Sequence, residues 1–223
     1  MKCIILGATG SVGEHVLRSA VRRGHEVVVV ARDKSRVVAE VPCEIAELDL
    51  RSVTPDELAS VICGADAVVS ALGSRTKTDH GVLAEAALTT VSAMRAANLQ
   101  RYVGISAAPV ATTPSPARPH PPKHDPGDDF MARYLMMPIV KRVFGAAYAD
   151  AARMEDTIRA SGLHWTLVRP PRLVDGAATG MYRTSVDANV SKGRRIGRED
   201  LAAYLLDVID DASTIGHSIG IAY

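Results

Sequence analysis

Short apolar runs alternate with amphipathic stretches along most of the chain. Cys3 to Leu6 is apolar and ends at Gly7, and the next stretch places Val12, Val16, Leu17, Ala20 and Val21 on one side at helical spacing. That stretch stops at Gly24 after Arg22 and Arg23, a basic last turn followed by a residue that ends helices. Val27 to Ala31 is a second run, and its four consecutive valines do not alternate with polar residues. This is the pattern of a strand buried on both faces, as in a parallel sheet. Glu44 to Leu48 reads as a third strand. Thr54-Pro55-Asp56-Glu57 combines a cap residue, proline at the first helical position and acids in the first turn, which predicts a helix to about Ile62. Ala67 to Leu72 is a fourth strand ending at Gly73, Val82 to Ala97 a helix, and Tyr102 to Ser106 a fifth strand. Strands alternating with helices predict an α/β fold of the Rossmann type, a doubly wound and mainly parallel sheet with helices on both faces.

The pattern breaks at Pro109. Seven of the twelve prolines fall between 109 and 126, so this stretch cannot be a helix or an inner strand, and an exposed loop or lid is expected. Phe130 to Tyr148 turns apolar at helical spacing, and Pro138 should kink or divide it. A helix from about Asp150 to Ser161 precedes a sixth strand, Trp165 to Val168, which runs into Arg169-Pro170-Pro171. Residues 174 to 191 are loop-rich with room for one hairpin. Glu199 to Ile209 is a closing helix and His217 to Ala222 a last strand. The expectation is one domain over 1 to 223, with 109 to 148 as an insert or lid and 170 to 192 as substrate-side loops.

Composition narrows the function. Lys and Arg number 26 against 25 Asp and Glu, a net charge of +1, and aromatics are 4% of the chain. Neither nucleic acid nor an anionic membrane is expected as a partner. Cys3, Cys43 and Cys63 have no Cys-x-x-Cys spacing, so each reads as a small apolar residue of a reducing compartment. No apolar run reaches the roughly 18 residues of a membrane span, and the first residues do not have a leader's pattern. A cytoplasmic protein is expected. His120 and His124 lack further ligands at metal spacing, so no metal is expected.

The strongest chemical signal is Gly7-Ala8-Thr9-Gly10-Ser11-Val12-Gly13, between a strand and a helix. Gly7 allows the tight turn, Gly10 lets the backbone approach a pyrophosphate, and Gly13 permits close helix–strand packing. The helix start then offers N–H groups and partial positive charge to phosphates. An NAD site usually has an acid at the end of the second strand. Here Ala31-Arg32 is followed by Asp33, Lys34, Ser35 and Arg36. Arg32 and Arg36 can bind a 2′-phosphate, whereas Asp33 facing the ribose would keep NAD open. NADP(H) is favoured over NAD(H) on charge. Asp49-Leu50, Ala71-Leu72-Gly73, Ser106-Ala107 and Arg169-Pro170-Pro171-Arg172 follow later strands and are candidates to complete the site, loop geometry alone being the plainer reading of each.

Asp66-Ala67-Val68-Val69-Ser70-Ala71-Leu72-Gly73, Ser161-Gly162-Leu163-His164-Trp165-Thr166-Leu167-Val168-Arg169-Pro170 and Ile196-Gly197-Arg198-Glu199-Asp200-Leu201-Ala202 join the glycine loop in a wider likeness. Together they resemble the atypical short-chain dehydrogenase/reductase group, in particular NAD(P)H-binding proteins like flavin reductase/biliverdin reductase B and NmrA-like proteins. The resemblance implies a Rossmann sheet, NADPH binding at Gly7, Thr9, Gly10, Ser11, Val12, Arg32, Arg36, Leu72, Gly73 and Ser106, and hydride transfer to a flat acceptor. Pro170-Pro171-Arg172-Leu173 resembles the segment closing over the nicotinamide in biliverdin reductase B, which has His where this chain has Arg172.

No Tyr-x-x-x-Lys occurs in the chain: Tyr148 is followed at that spacing by Ala152 and Tyr134 by Pro138. Alcohol–ketone interconversion through that pair is disfavoured. A flavin or quinone reductase needs less, because its acceptor can take a proton from water. Three residues are candidates for the chemistry, each with a plainer reading. Ser106 polarises the acceptor or bonds to its own turn. Arg172 clamps an acceptor or pairs at the surface. Tyr148 caps the pocket and donates a proton or simply packs. Met136, Met137 and Phe144 read first as packing residues, although a methionine-lined pocket suits a flat ring. The expected function is an NADPH-dependent reductase of a small conjugated acceptor, as monomer or homodimer. The alternative is an NADP(H)-binding sensor without turnover.

Overall fold

The computed structural model describes residues 1–38, 40–73 and 81–223. Six parallel strands form the first part of one sheet: β1 (Lys2–Leu6), β2 (Glu26–Ala31), β3 (Glu44–Glu47), β4 (Ala67–Ser70), β5 (Arg101–Ile105) and β6 (His164–Arg169). Two short strands, β7 (Arg172–Val174) and β9 (Arg195–Gly197), pair parallel in a small sheet of their own. β8 (Arg183–Val186) and β10 (His217–Ala222) complete the main sheet, whose order is β3-β2-β1-β4-β5-β6-β10-β8. β10 lies parallel to β6, and β8 is an antiparallel edge strand. No hairpin forms between 174 and 191, because β8 pairs with the distant β10 instead.

The valine run explains why the sheet is covered on both sides. In β1 and β2, Cys3, Ile5, Val27 and Val29 point to one face, packed against α1 (Gly13–Arg22) and α5 (Arg198–Asp207). Ile4, Leu6, Val28 and Val30 point to the other, under α2 (Pro55–Ile62), α3 (Val82–Ala96) and α4 (Met137–Arg159). Successive side chains alternate faces, so a strand with two buried faces has no polar position to spare. The α2 start is as read: Glu57 N–H donates to Thr54 Oγ1 at 3.3 Å, Thr54 N–H donates back to Glu57 Oε2 at 2.9 Å, and Pro55 opens the helix. The α3 start has a glycine cap with no side chain. Buried Asp150 of α4 serves instead, accepting from the N–H groups of Leu83 at 3.0 Å and Ala84 at 3.2 Å.

Two expectations need correction. The proline-rich stretch is not exposed throughout. Ala108–Thr112 is a buried 3-10 turn, and Thr113 and Ser115 are buried beyond it. The missing N–H groups of proline forbid ladders, not burial, provided the carbonyls find donors. Here they do: Pro109 O accepts from Thr113 Oγ1 at 2.8 Å and Val110 O from Arg118 at 2.9 Å. Asp156 of α4 pins the loop by accepting from Ser115 Oγ and Ala117 N–H. Asp125 and Asp128 then tie its far end to Asn189 at 2.8 and 2.9 Å.

The second correction concerns the helix. α4 is continuous through Asp150 to Arg159 rather than beginning there, and a π-helical turn, Ala132–Met136, precedes it. Pro138 sits in the first turn of α4, where its lost N–H costs nothing. The bend falls at Phe144 (φ −115°, ψ 15°), next to Gly145. Among the described residues no helix is long and apolar enough to cross a membrane.

Candidate functional site

The loops that follow β1 to β6 gather at the carboxyl edge of the sheet, and the strand order reverses between β1 and β4, where such folds open a crevice for ligands. At this switch Gly7 turns with φ +82°. A Cβ there would lie 2.8 Å from Ala71 O, and one on Gly13 only 2.1 Å from Gly7 O. Gly7 and Gly13 are therefore required by backbone contact. Gly10 N–H donates to Gly7 O at 2.9 Å, and α1 begins with no side chain capping it. Val12 is buried and Ser11 exposed. An uncapped helix start after a glycine turn is the arrangement that phosphate-binding loops use.

A cleft of about 350 Å³ opens beside this loop, lined by Thr9, Arg32, Asp33, Arg36, Asp49 and Arg51. It joins the ends of β1, β2 and β3, residues far apart in sequence. Asp33 accepts from Ser35 N–H at 2.9 Å and Ser35 Oγ at 2.5 Å, which holds its carboxyl below the ordinary value. Asp49 is gripped by Arg51, whose hydrogen bonds lower it likewise. Among the described residues Arg32 and Arg36 have no ion-pair partner within 4.0 Å. Both acids of the cleft are thus held chiefly by Ser35 and Arg51, and Arg36 and Arg32 add only a weaker attraction to Asp33 and Asp49. Leu50 is buried in the core beneath, Ala71 lies under Gly7, and Leu72 and Gly73 follow β4 at the rim.

A second cleft of about 450 Å³ opens at the ends of β5, β6 and β10. Ala107, Pro109, Pro170, Val190 and Ile221 form apolar walls, and Met136, Met137, Val140 and Phe144 face it from the start of α4. The methionines read first as packing residues thus border open space. Tyr148 and Arg172 line the same cleft. Burial pushes the Tyr148 phenol up, so it stays protonated at neutral pH, and its ring meets Phe144 edge-on at 6.2 Å. Arg172 is exposed and without an ion pair among the described residues.

Ser106 does not line this cleft. Its hydroxyl donates to Glu155 Oε1 at 2.6 Å, and Glu155 is 1% exposed. Arg169, at the end of β6, donates to both Glu155 oxygens through Nε and Nη2, while Arg159 approaches the same carboxylate at 3.4 Å and lies over the Trp165 ring. Burial by itself would raise the Glu155 carboxyl, but Arg169, Ser106 and Arg159 outweigh it and hold it below the usual value. Arg169 is 5% exposed and lines the apolar cleft. The sequence reading placed Arg169 in a loop that completes the site, and the residue lines the cleft. It did not single out Glu155, Asn189, Lys192 and Arg194, whose partners or positions come from distant segments.

The two clefts suit the two ends of a dinucleotide: cationic beside the glycine loop, apolar beyond the switch point. Residues 7–212 match the NAD(P)H-binding family profile. The uncharacterized protein YwnB of Bacillus subtilis is 26% identical over 215 residues, covering 95% of this chain and 92% of that protein. The fold is shared with a candidate NADH-flavin reductase of Streptococcus pneumoniae, at TM-score 0.75 and 23% identity over 100% of this chain and 99% of that one. It is shared also with a wide-type short-chain dehydrogenase/reductase of Veillonella parvula solved with NADP, at TM-score 0.77 and 16% identity over 100% and 94%. With a family match over residues 7–212, which takes in the glycine loop and strands β2 to β9, the chain belongs to the NAD(P)H-binding family of Rossmann proteins.

Proposed function

We propose that the protein is an NADPH-dependent reductase that passes hydride to a flavin, quinone or similar conjugated acceptor. The observation carrying this reading is the pairing of the two clefts: free guanidinium groups of Arg32 and Arg36 at one end of the carboxyl edge, and an apolar cleft of ring-sized dimensions at the other. Bound dihydronicotinamide would supply the hydride. The chain's own work is positioning. Gly7, Thr9, Gly10, Ser11, Val12 and Gly13 hold the pyrophosphate, Arg32 and Arg36 tag the 2′-phosphate, and Leu72, Gly73 and Pro170 border the path between the clefts. Met136, Met137 and Phe144 exclude water from a flat ring. Tyr148 keeps its proton and serves as a donor to the acceptor, and Arg172 attracts acceptors that carry negative charge. Ser106 acts through Glu155.

Without a Tyr-x-x-x-Lys pair, the reaction falls to acceptors that become acidic or solvent-protonated once reduced. Stopped-flow oxidation of NADPH against a panel of flavins, quinones and enones tests this. Tight cofactor binding with no turnover on any of them refutes it. That outcome points to the second reading, an NADP(H)-dependent sensor. The apolar side chains of Phe130, Tyr134, Leu135, Ile139 and Val143, each more than half exposed beside the cleft, favour a protein contact there.

A further inference from the structure

The guanidinium of Arg169 has one donor edge unused. Its Nε and Nη2 go to Glu155. Among the described residues Nη1 has no hydrogen-bond partner, yet it is not one of the buried polar atoms sealed away from solvent. The residue is 5% exposed and the open space it borders is the acceptor cleft. A permanently charged donor has therefore been fixed in a nearly closed setting with its free edge on the cleft. One carboxylate, Glu155, is shared between Arg169 and Arg159.

We propose that Arg169 Nη1 donates to the carbonyl oxygen of the acceptor and stabilises the negative charge that arrives there, with Glu155 and Ser106 as positioning residues. The proposal rests on the reductase reading and narrows its substrate class to conjugated carbonyl compounds. In the step, the hydride from C4 of a reduced nicotinamide dinucleotide, which is oxidised to the pyridinium, forms a C–H bond at the electrophilic carbon of the acceptor. The acceptor's π pair moves onto its carbonyl oxygen, which becomes an enolate facing Arg169. The Tyr148 phenol on the same cleft then gives that enolate its proton and takes one back from water. Two electrons and two hydrogens are added in all. Arg169 gives up no proton, since a guanidinium stays charged. Its value lies in being held before the charge develops, so nothing reorganises during the reaction.

The test compares the wild type with Arg169→Lys and with the double substitution Arg169→Met/Glu155→Met, which removes the buried pair without stranding one charge. The first readout uses cofactor-free protein. Binding of 2-hydroxy-1,4-naphthoquinone, anionic at neutral pH and a mimic of the developing enolate, should weaken about 10- to 100-fold in the double variant. The second is turnover. kcat on quinones and enones should fall by ~100-fold or more, while NADPH oxidation by methylene blue, a cationic dye without a carbonyl, stays near the wild-type rate. A folded variant that binds the enolate and reduces carbonyl acceptors like the wild type overturns the proposal. So does an equal loss with methylene blue, which would mark a purely structural role. If the double variant does not fold, Arg169→Lys gives the same comparison, because a lysine keeps the charge but not the fixed fork. A wild type that turns over no acceptor defeats the reductase reading, and the binding readout alone then judges Arg169.

Discussion

Replacing Arg32 by alanine should separate the two pyridine nucleotides. Arg32 and Arg36 stand with Thr9 around the cleft of about 350 Å³ beside the glycine loop. The competing carboxylates there are bound to Ser35 and Arg51, so a 2′-phosphate would meet unpaired cations. A hydrogen bond to a charged partner contributes about 1.5–3 kcal/mol. Both arginines are exposed, and screening places each at the lower end, about 1.5 kcal/mol. That corresponds to roughly a tenfold rise in Kd for NADPH from Arg32→Ala. The double change Arg32→Ala/Arg36→Ala should approach a hundredfold, and less if both groups share one phosphate oxygen. NADH lacks that phosphate, and its Kd should move less than about threefold. Titration calorimetry with both nucleotides, at low and high salt, measures all of this, and the NADPH preference should shrink as salt rises. A wild type that binds NADH more tightly, or a variant that weakens both nucleotides equally, refutes the charge argument.

Three further outcomes follow from the same structure. Gly13→Ala puts a methyl 2.1 Å from Gly7 O. It should cost at least about 1–3 kcal/mol and weaken nucleotide binding as α1 is pushed from the loop, read by thermal melting and cofactor fluorescence. Glu155 is held below its ordinary value near 4.5, so the stability it contributes is complete above that pH and lost as pH falls through the lower folded-state value. Glu155→Gln should cost about 3–5 kcal/mol at pH 7 and flatten the acid limb of the stability curve below about pH 5. Coincident acid profiles for the two proteins would contradict the assignment. Asp150→Ala removes the cap that α4 lends to α3 and should cost about 1–2 kcal/mol in urea unfolding with little change in m, whereas an unchanged midpoint would mean that water replaces the carboxylate.

The sequence by itself determined the local grammar of this protein. The glycine loop, the Thr54 cap with Pro55, the valine strand and the strand–helix alternation each depend on neighbours a few residues away. Backbone freedom, capping and face periodicity are local properties, so these features could be read along the chain. Leu50 shows where such reading stops: it follows β3 as a cofactor-lining residue would, yet it is buried in the core. Periodicity says that a side chain is buried but not against what. Tertiary structure alone decided that Asp150 caps a helix 66 and 67 residues away. It also decided that Ser106 turns to a carboxylate 49 residues on, and that Asp125 ties the proline stretch to Asn189 across 64 residues. The apolar cleft is likewise assembled from six separate segments between residues 107 and 222. Each of these is a choice of partner among many chemically equivalent ones, made by strand order and helix packing, and no pattern of residues along one segment encodes it.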